Sequence, residues 1–366
     1  VNGILIAINL GWKPHAISYG TLAYGISSVP LALFLIYYLN FGVTGIIISV
    51  FLANIASIII LFYYAKEKIT NQFNKTILKK WLKFSWVPLY PGIPILVAGF
   101  DISIFTIITS SVIGLAFWAA AMVLPAMISH TGLISRAIYP KLLEEKTKEF
   151  MSENLTLVFY FGIILVSLVV TFARPGLYAL NPIYEIAFPV AIIMSFEMFL
   201  TVLANIFLLS LAGIERVDKF ENSTFKDYLK SKLFFPQTIR LIQTCIYILI
   251  LTVGLLILVG FGSSNQELLL FWASIALITQ IPLVCVLYYL VQKNMMIKLE
   301  ISRIAKFALI AIGVFGFTYV LTNQFLVYSP DIASFIPNVL MFASFGVGLY
   351  IIITYLIDNK IRNLVH

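Results

Sequence analysis

Residues 185–212 read EIAFPVAIIMSFEMFLTVLANIFLLSLA, and after the first residue Glu197 is the sole ionisable side chain of this run. A helix needs about 20 apolar residues to cross the hydrocarbon core of a bilayer, whereas a barrel strand needs about 10 that alternate with polar ones. The run is long and does not alternate, so it predicts a transmembrane helix. Nine further runs of this kind occupy 16–38, 43–65, 86–109, 113–135, 154–173, 240–261, 267–292, 307–324 and 332–357.

The composition supports the same class of protein. Of 366 residues, 61% are apolar and 11% are charged, and the mean hydropathy is +1.00. A soluble domain has roughly 45–50% apolar and about 25% charged residues. The sequence therefore predicts an all-α, polytopic integral membrane protein of about ten transmembrane helices. Residues 3–11 add an N-terminal stub that is too short to cross, and the length leaves no room for a separate soluble domain.

Signatures of soluble enzymes are missing from the sequence. It has no Walker loop, no dinucleotide fingerprint, no HExxH and no metal-spaced cluster among its three histidines and two cysteines. We therefore expect no enzymatic activity, no metal and no cofactor. Both Cys245 and Cys285 fall in apolar runs, which predicts packed, reduced thiols.

The distribution of charge predicts the orientation of the chain. Lys and Arg exceed Asp and Glu by 24 − 16 = 8, but the cations lie in connections between apolar runs, so topology explains them and nucleic acid is not expected as a partner. Of the 24 cations, 23 fall on one side of the predicted membrane and Arg174 lies alone on the other. By the positive-inside rule the crowded side, with the C-terminus, is cytoplasmic in a cell membrane.

The predicted outer loops are all short, which argues against a membrane enzyme that transfers glycans, because such an enzyme needs room for an acceptor. These loops are Asn40–Gly42, Ser110–Ser111, Arg174–Tyr184, Gly262–Gln266 and Asn323–Asp331.

One predicted cytoplasmic connection, 71–85, has the pattern of a basic amphipathic helix. Its apolar residues recur at helical spacing, and its lysines occupy the opposite face. The sequence predicts a helix anchored in the headgroup layer, where each cation near anionic lipid contributes about 1 kcal/mol; a solvated linker helix is the alternative. The anchoring residues are Lys75, Lys79, Lys80, Lys83 and Trp81.

Ionisable groups at membrane depth are candidate functional residues, because each costs about 2.5–3.5 kcal/mol at the bilayer centre. Glu197 lies about 18 Å from the outer end of its run at 1.5 Å per residue. Thr201 and Asn205 follow it at four-residue intervals, which predicts one polar stripe facing a cavity. A protonated glutamic acid packed between helices is the alternative. Asp101 and His130 are the other two candidates, and a packing role for His130 is equally open.

Cations at the predicted inner helix ends are candidates for binding a lipid phosphate. Arg136, Arg240 and Lys13 lie at such positions, where a guanidinium or ammonium group can bind a headgroup phosphate. Ordinary anchoring of helix ends to the interface is the alternative. No Lys or Arg is expected deep inside any predicted span.

Residues 98–145, AGFDISIFTIITSSVIGLAFWAAAMVLPAMISHTGLISRAIYPKLLEE, carry a resemblance to a known family. An aspartate late in one helix is followed by a short turn ending in Gly, an aromatic–small pair, and a Pro before acidic residues. The positions are Asp101, Gly114, Phe117-Trp118, Pro140 and Glu144-Glu145. The pattern resembles polysaccharide-export flippases, a branch of the multidrug/oligosaccharidyl-lipid/polysaccharide superfamily. Residues 31–45 and 181–218 resemble the same family.

Two features depart from the family pattern. Ile102 stands where the family usually has an arginine. Family members have twelve to fourteen spans in two lobes, and this chain opens inside what would be the fourth span. The resemblance then implies a remnant of the N-terminal lobe in 1–70, the linker helix 71–85, and a C-terminal lobe of eight spans in 86–366.

The resemblance also implies a function. Such proteins move a polyprenyl-(di)phosphate-linked oligosaccharide to the outer leaflet by alternating access through a central cavity. Arg136, Arg240 and Lys13 would then contact the phosphate, and Glu197, Thr201, Asn205 and His130 would line the cavity. Asp101 would serve gating or coupling. Two alternatives stay open: a cation-coupled multidrug exporter of the same superfamily, and a non-transporting subunit of a larger membrane assembly.

Overall fold

The computed structural model describes residues 2–13, 15–69, 75, 89–137, 148–215, 227, 231–297, 299–329, 331–358 and 361–362. All regular elements in these ranges are helical, which confirms the all-α prediction. Ten helical segments are long and apolar enough to span a membrane, so the chain is a polytopic membrane protein. These segments are His15–Tyr38, Gly42–Lys68, Tyr90–Thr109, Val112–Leu133, Met151–Leu180, Pro182–Gly213, Phe235–Gly260, Asn265–Met295, Ile301–Phe325 and Ser334–Ile357.

The chain divides into two compact units, 1–84 and 85–366. The helices of the first unit are α1 (Asn2–Trp12), α2 (His15–Leu33) with a π-helical extension (Phe34–Tyr38), and α3 (Gly42–Ala65). Helices α2 and α3 meet at Gly20, where a Cβ would lie 3.0 Å from Leu61 Cγ. Glycine therefore allows the close helix approach that is typical of membrane bundles.

The second unit contains nine α-helices in its described residues. Three 3₁₀ segments adjoin them at Tyr90–Gly92, Met127–Ala137 and Pro182–Ala187. The helices are α4 (Ile93–Ala98), α5 (Phe100–Thr109), α6 (Val112–Ala126), α7 (Lys148–Leu180), α8 (Phe188–Gly213), α9 (Phe235–Gly260), α10 (Asn265–Met295), α11 (Ile301–Phe325) and α12 (Ile332–Ile357).

Helix α8 packs against several of the other helices of this unit: α6, α7 and α10 are all in contact with it. An aromatic stack lies close by, where Trp118 of α6 and Trp272 of α10 face each other with centroids 3.8 Å apart and planes 2° apart. Phe105 of α5 stacks on Trp272 at 4.8 Å. These large rings are buried together and hold three helices around α8.

The ten predicted spans are confirmed, but several helices extend past the predicted runs, among them those that end at Leu180 and begin at Phe235. The span predicted to end at residue 173 continues to Leu180, so Arg174–Tyr184 is mostly helical and not a loop. Asn181 separates this helix from the next segment, and its side chain accepts a hydrogen bond from the Ile183 amide at 3.0 Å. A single capping residue thus replaces the expected loop.

The second corrected boundary is the start of α9. The helix begins at Phe235 and not at residue 240, and Pro236 fits its first turn because a proline needs no amide hydrogen there. Arg240 is therefore five residues, or about 7.5 Å, inside the helix. Arg240 thus lies further inside its helix than the predicted start of the span indicated, although not in the middle of it.

The cysteines are free thiols, as predicted, but they are not packed. Both Cys245 and Cys285 are exposed on the surfaces of their helices. A lipid-facing surface is as apolar as a packed interior, so hydropathy does not distinguish the two.

The predicted interfacial helix 71–85 lies outside the described residues except for Lys75. The anchoring roles of Lys75, Lys79, Lys80, Lys83 and Trp81 therefore stay predictions.

Candidate functional site

Polar side chains from four helices of the second unit are joined by hydrogen bonds inside their spans. We call this group the polar seam. It comprises Asp101 of α5, Glu197, Thr201 and Asn205 of α8, Arg240, Gln243 and Tyr247 of α9, and Trp272, Thr279 and Gln280 of α10.

The first part of the polar seam joins α8 to α10. The hydroxyl of Thr201 donates to Glu197 Oε1 at 2.7 Å, one helical turn away. Gln280 Nε2 in turn donates to Thr201 Oγ1 at 3.0 Å, and Gln280 is buried. The four-residue spacing that predicted a stripe thus places Glu197 and Thr201 on the face of α8 that packs against α10.

The second part joins α8 to α9. An amino group of Arg240 donates to Asn205 Oδ1 at 3.1 Å, and Arg240 is also close enough to Glu197 for their charges to interact. The threonine next along the chain, Thr244, donates to the Arg240 carbonyl at 2.9 Å. The guanidinium therefore extends from α9 toward the polar face of α8.

The third part joins α5, α9 and α10 through one tyrosine. The hydroxyl of Tyr247 donates to Asp101 Oδ2 at 2.9 Å and accepts from Trp272 Nε1 at 2.8 Å. Both Tyr247 and Trp272 are buried.

The chemistry of the polar seam follows from its charges. It contains two carboxyl groups, one guanidinium and several neutral donors, in spans that are otherwise apolar. Charged groups at membrane depth pair with each other and mark substrate, ion or proton paths. With one cation to two acids, the polar seam can take up a proton or a small cation, and its guanidinium can contact an anionic group.

Several members of the polar seam were not predicted from the sequence. Gln243, Tyr247, Trp272, Thr279 and Gln280 were missed. The signal for the α9 residues was present, since Arg240, Gln243, Thr244 and Tyr247 recur at helical spacing. For α10 the polar residues inside the apolar run are Ser274 and the adjacent pair Thr279-Gln280, which is too little to assign a face.

Three predicted residues are not among the described contacts of the polar seam. His130 is exposed in the 3₁₀ segment that follows α6. Lys13 belongs to the first unit, where its ammonium pairs with Glu67 at 3.4 Å. The side chain of Arg136 is outside the described ones. Their predicted roles in substrate contact stay predictions, and among the described residues no group of three or more His, Cys, Asp and Glu could hold a metal.

A cavity of about 760 Å³ lies on the other side of α8, between α7, α8 and α11. Phe188, Ile192, Phe196 and Phe199 of α8 line it. At 100° per residue these four positions share the helix face opposite Glu197, Thr201 and Asn205. None of those three residues lines this cavity. Their predicted role in lining a substrate cavity therefore stays a prediction.

Comparisons of the chain with protein-family models, with curated proteins and with solved structures found no match. The class of the protein therefore follows from its ten spans, and its function has to be argued from the polar seam.

Proposed function

We propose that the chain is a membrane transporter of the flippase type, which moves a lipid-linked oligosaccharide from the cytoplasmic to the outer leaflet. The observation that carries the proposal is the polar seam, in which hydrogen bonds link four apolar spans. A purely structural membrane protein gains little from such groups, because lipid penalises them wherever they lack partners.

The polar seam divides into two roles. Arg240 provides the phosphate contact, because it lies beyond the first turn of α9 and its guanidinium reaches the polar face of α8. Glu197 and Asp101 provide coupling, because each carboxyl group lies in an otherwise apolar span and accepts a hydrogen bond there from a hydroxyl. The resemblance of 98–145 to polysaccharide-export flippases supports a lipid-linked glycan as the substrate.

A cation-coupled drug exporter is the second candidate. It is favoured by the same two carboxyl groups, which would attract an organic cation if Arg240 were not part of the recognition site. The position of Arg240 favours the flippase, since a guanidinium attracts a phosphate and repels a cation.

The test is ligand-dependent stabilisation of the purified protein. We expect a diphosphate-linked oligosaccharide to raise the melting temperature and tetraphenylphosphonium to leave it unchanged, because a ligand that binds the folded state stabilises it. The Arg240→Gln variant should bind the glycolipid about 10- to 100-fold more weakly, since a charged hydrogen bond contributes about 1.5–3 kcal/mol.

A matched control is Lys293→Gln, which removes an exposed cation at the end of α10 away from the polar seam. This variant should bind the glycolipid as the parent does. Stabilisation by tetraphenylphosphonium alone would favour the exporter, and no response to either ligand would favour a non-transporting subunit. Either result would contradict the flippase proposal.

A further inference from the structure

The cavity between α7, α8 and α11 has the dimensions of a site for one hydrocarbon chain. Its volume of about 760 Å³ lies in the range of about 300–1,000 Å³ that is usual for ligand sites. Along α8 it extends from Phe188 to Phe199, which is about 16 Å at 1.5 Å per residue, and along α11 from Ala308 to Asn323, which is about 22 Å. Half of the hydrocarbon core of a bilayer is about 15 Å thick. The cavity is thus long enough to hold the hydrocarbon chain of a lipid from one leaflet together with the start of its headgroup.

The walls of the cavity are apolar over most of that length. Four apolar side chains of α8 face Ala311, Ile312 and Phe315 of α11, and Gly316 completes the same wall. A Cβ added to Gly316 would meet no atom within 4 Å. The missing side chain at this position therefore contributes directly to the open volume.

One end of the cavity is polar. Arg174, Tyr319, Asn323 and Tyr328 line it there, and the Tyr328 ring centre lies 6.0 Å from Arg174 Cζ. The charge pattern predicts that this is the outer end. Donors from a guanidinium, an amide and two phenols at the end of an apolar slot match a headgroup followed by a chain.

The charge at this end limits the headgroup to one negative charge. Arg174 Nε already donates to Glu185 Oε1 at 2.5 Å, so the carboxylate offsets part of the positive charge. The side chain of Arg174 is 59% exposed. The bond to Glu185 uses Nε, so the two terminal amino groups of the guanidinium take no part in it. One phosphodiester fits such a site, whereas the second phosphate of a diphosphate would meet the Glu185 carboxylate.

We propose that this cavity binds one acyl chain of an anionic phospholipid of the outer leaflet, with the phosphodiester of that lipid at Arg174. The site is on the face of α8 opposite the polar seam, so it is separate from the substrate path proposed above. The two proposals can fail independently, because this one concerns a resident membrane lipid and makes no reference to transport.

The test measures lipid binding to the purified, delipidated protein by native mass spectrometry. The probes are phosphatidylglycerol and phosphatidylcholine with identical chains, together with a polyprenyl diphosphate. We expect phosphatidylglycerol to bind more tightly than the other two. Gly316→Leu should abolish tight binding, because the added side chain occupies the slot for the acyl chain.

The control for this variant is Gly313→Leu, on the same helix. Gly313 also has open space around it but does not line the cavity, so binding should stay as in the parent. A second variant, Arg174→Gln, removes an exposed charge and should keep chain binding but lose the preference for phosphatidylglycerol over phosphatidylcholine. Parent-like binding by Gly316→Leu, an unchanged preference in Arg174→Gln, or tighter binding of the polyprenyl diphosphate would each overturn the proposal.

Discussion

The two faces of α8 differ in how they meet their neighbours. On the face toward α9 and α10, Thr201 and Asn205 accept hydrogen bonds from other spans at 3.0 and 3.1 Å, and Glu197 accepts one from Thr201 at 2.7 Å. On the face toward α7 and α11, aromatic and aliphatic side chains border a cavity of about 760 Å³. Polar groups in a membrane interior require specific partners, whereas apolar ones do not. One helix thus combines a fixed, bonded face with a face that leaves room for a ligand.

The largest effect is expected from removing the ring that supports the bonded face. Trp272→Ala deletes a fully buried side chain, its stack on Trp118 and its hydrogen bond to Tyr247. We expect a loss of about 3–5 kcal/mol in the free energy of unfolding. Chemical unfolding in detergent measures it, with the exposed Phe261→Ala as the control, which should change stability by less than about 0.5 kcal/mol. Equal effects of both variants would contradict a packed seam.

Removing a single oxygen atom from the polar seam should have a smaller effect on the free energy of unfolding. Tyr247→Phe leaves both Asp101 and Trp272 Nε1 without the hydroxyl that joins them. The expected loss is about 1–3 kcal/mol, the usual effect of an unsatisfied buried polar group. Tyr289→Phe is the matched control, because Tyr289 is 62% exposed on α10. A loss of stability from Tyr289→Phe as large as that from Tyr247→Phe would show that the hydroxyl bridge contributes nothing specific.

Two glycine substitutions near the cavity should change the free energy of unfolding in opposite directions. A Cβ at Gly162 of α7 would lie 2.1 Å from Phe199 Cε2, so Gly162→Ala should destabilise the protein by about 1 kcal/mol as the ring moves aside. Gly316→Ala has open space and should stabilise it by about 0.5–1 kcal/mol, since alanine favours a helix. Unfolding of the two variants under identical conditions checks both signs. The same sign for both would show that the cavity walls are not as described.

Much of the fold could be predicted from the sequence because hydrocarbon imposes a simple requirement of length and apolarity on each span. The stripe of Glu197, Thr201 and Asn205 was predicted for a similar reason, since helical spacing fixes which residues share a face. Its partner Gln280 on α10 was not predicted, because spacing along one helix says nothing about which other helices pack against it.

The cavity and two boundaries were missed for other physical reasons. An empty volume depends on how side chains such as Phe196 and Ile312 fill space together, which no single run of residues reveals. The ends of helices at Leu180 and Phe235 depend on a capping residue, Asn181, and on a proline in the first turn, Pro236. Hydropathy does not record either effect.

The smallest effect on stability is expected at the lipid-facing surface. Cys245→Ala alters an exposed thiol on α9 and should change the free energy of unfolding by less than about 0.5 kcal/mol. Chemical unfolding in detergent measures it, and a loss of more than about 1 kcal/mol, as expected for a buried side chain, would contradict the exposed position of this thiol.

The central claim is that the bonded face of α8 takes part in transport, and Glu197→Gln tests it most directly. The substitution keeps the shape of the side chain but removes its ability to take up a proton. Transport of a lipid-linked oligosaccharide into proteoliposomes would be measured against pH, with the exposed Glu153→Gln of α7 as the control. We predict that Glu197→Gln alters the pH dependence and that Glu153→Gln preserves it; a parent-like pH profile for Glu197→Gln would contradict the claim.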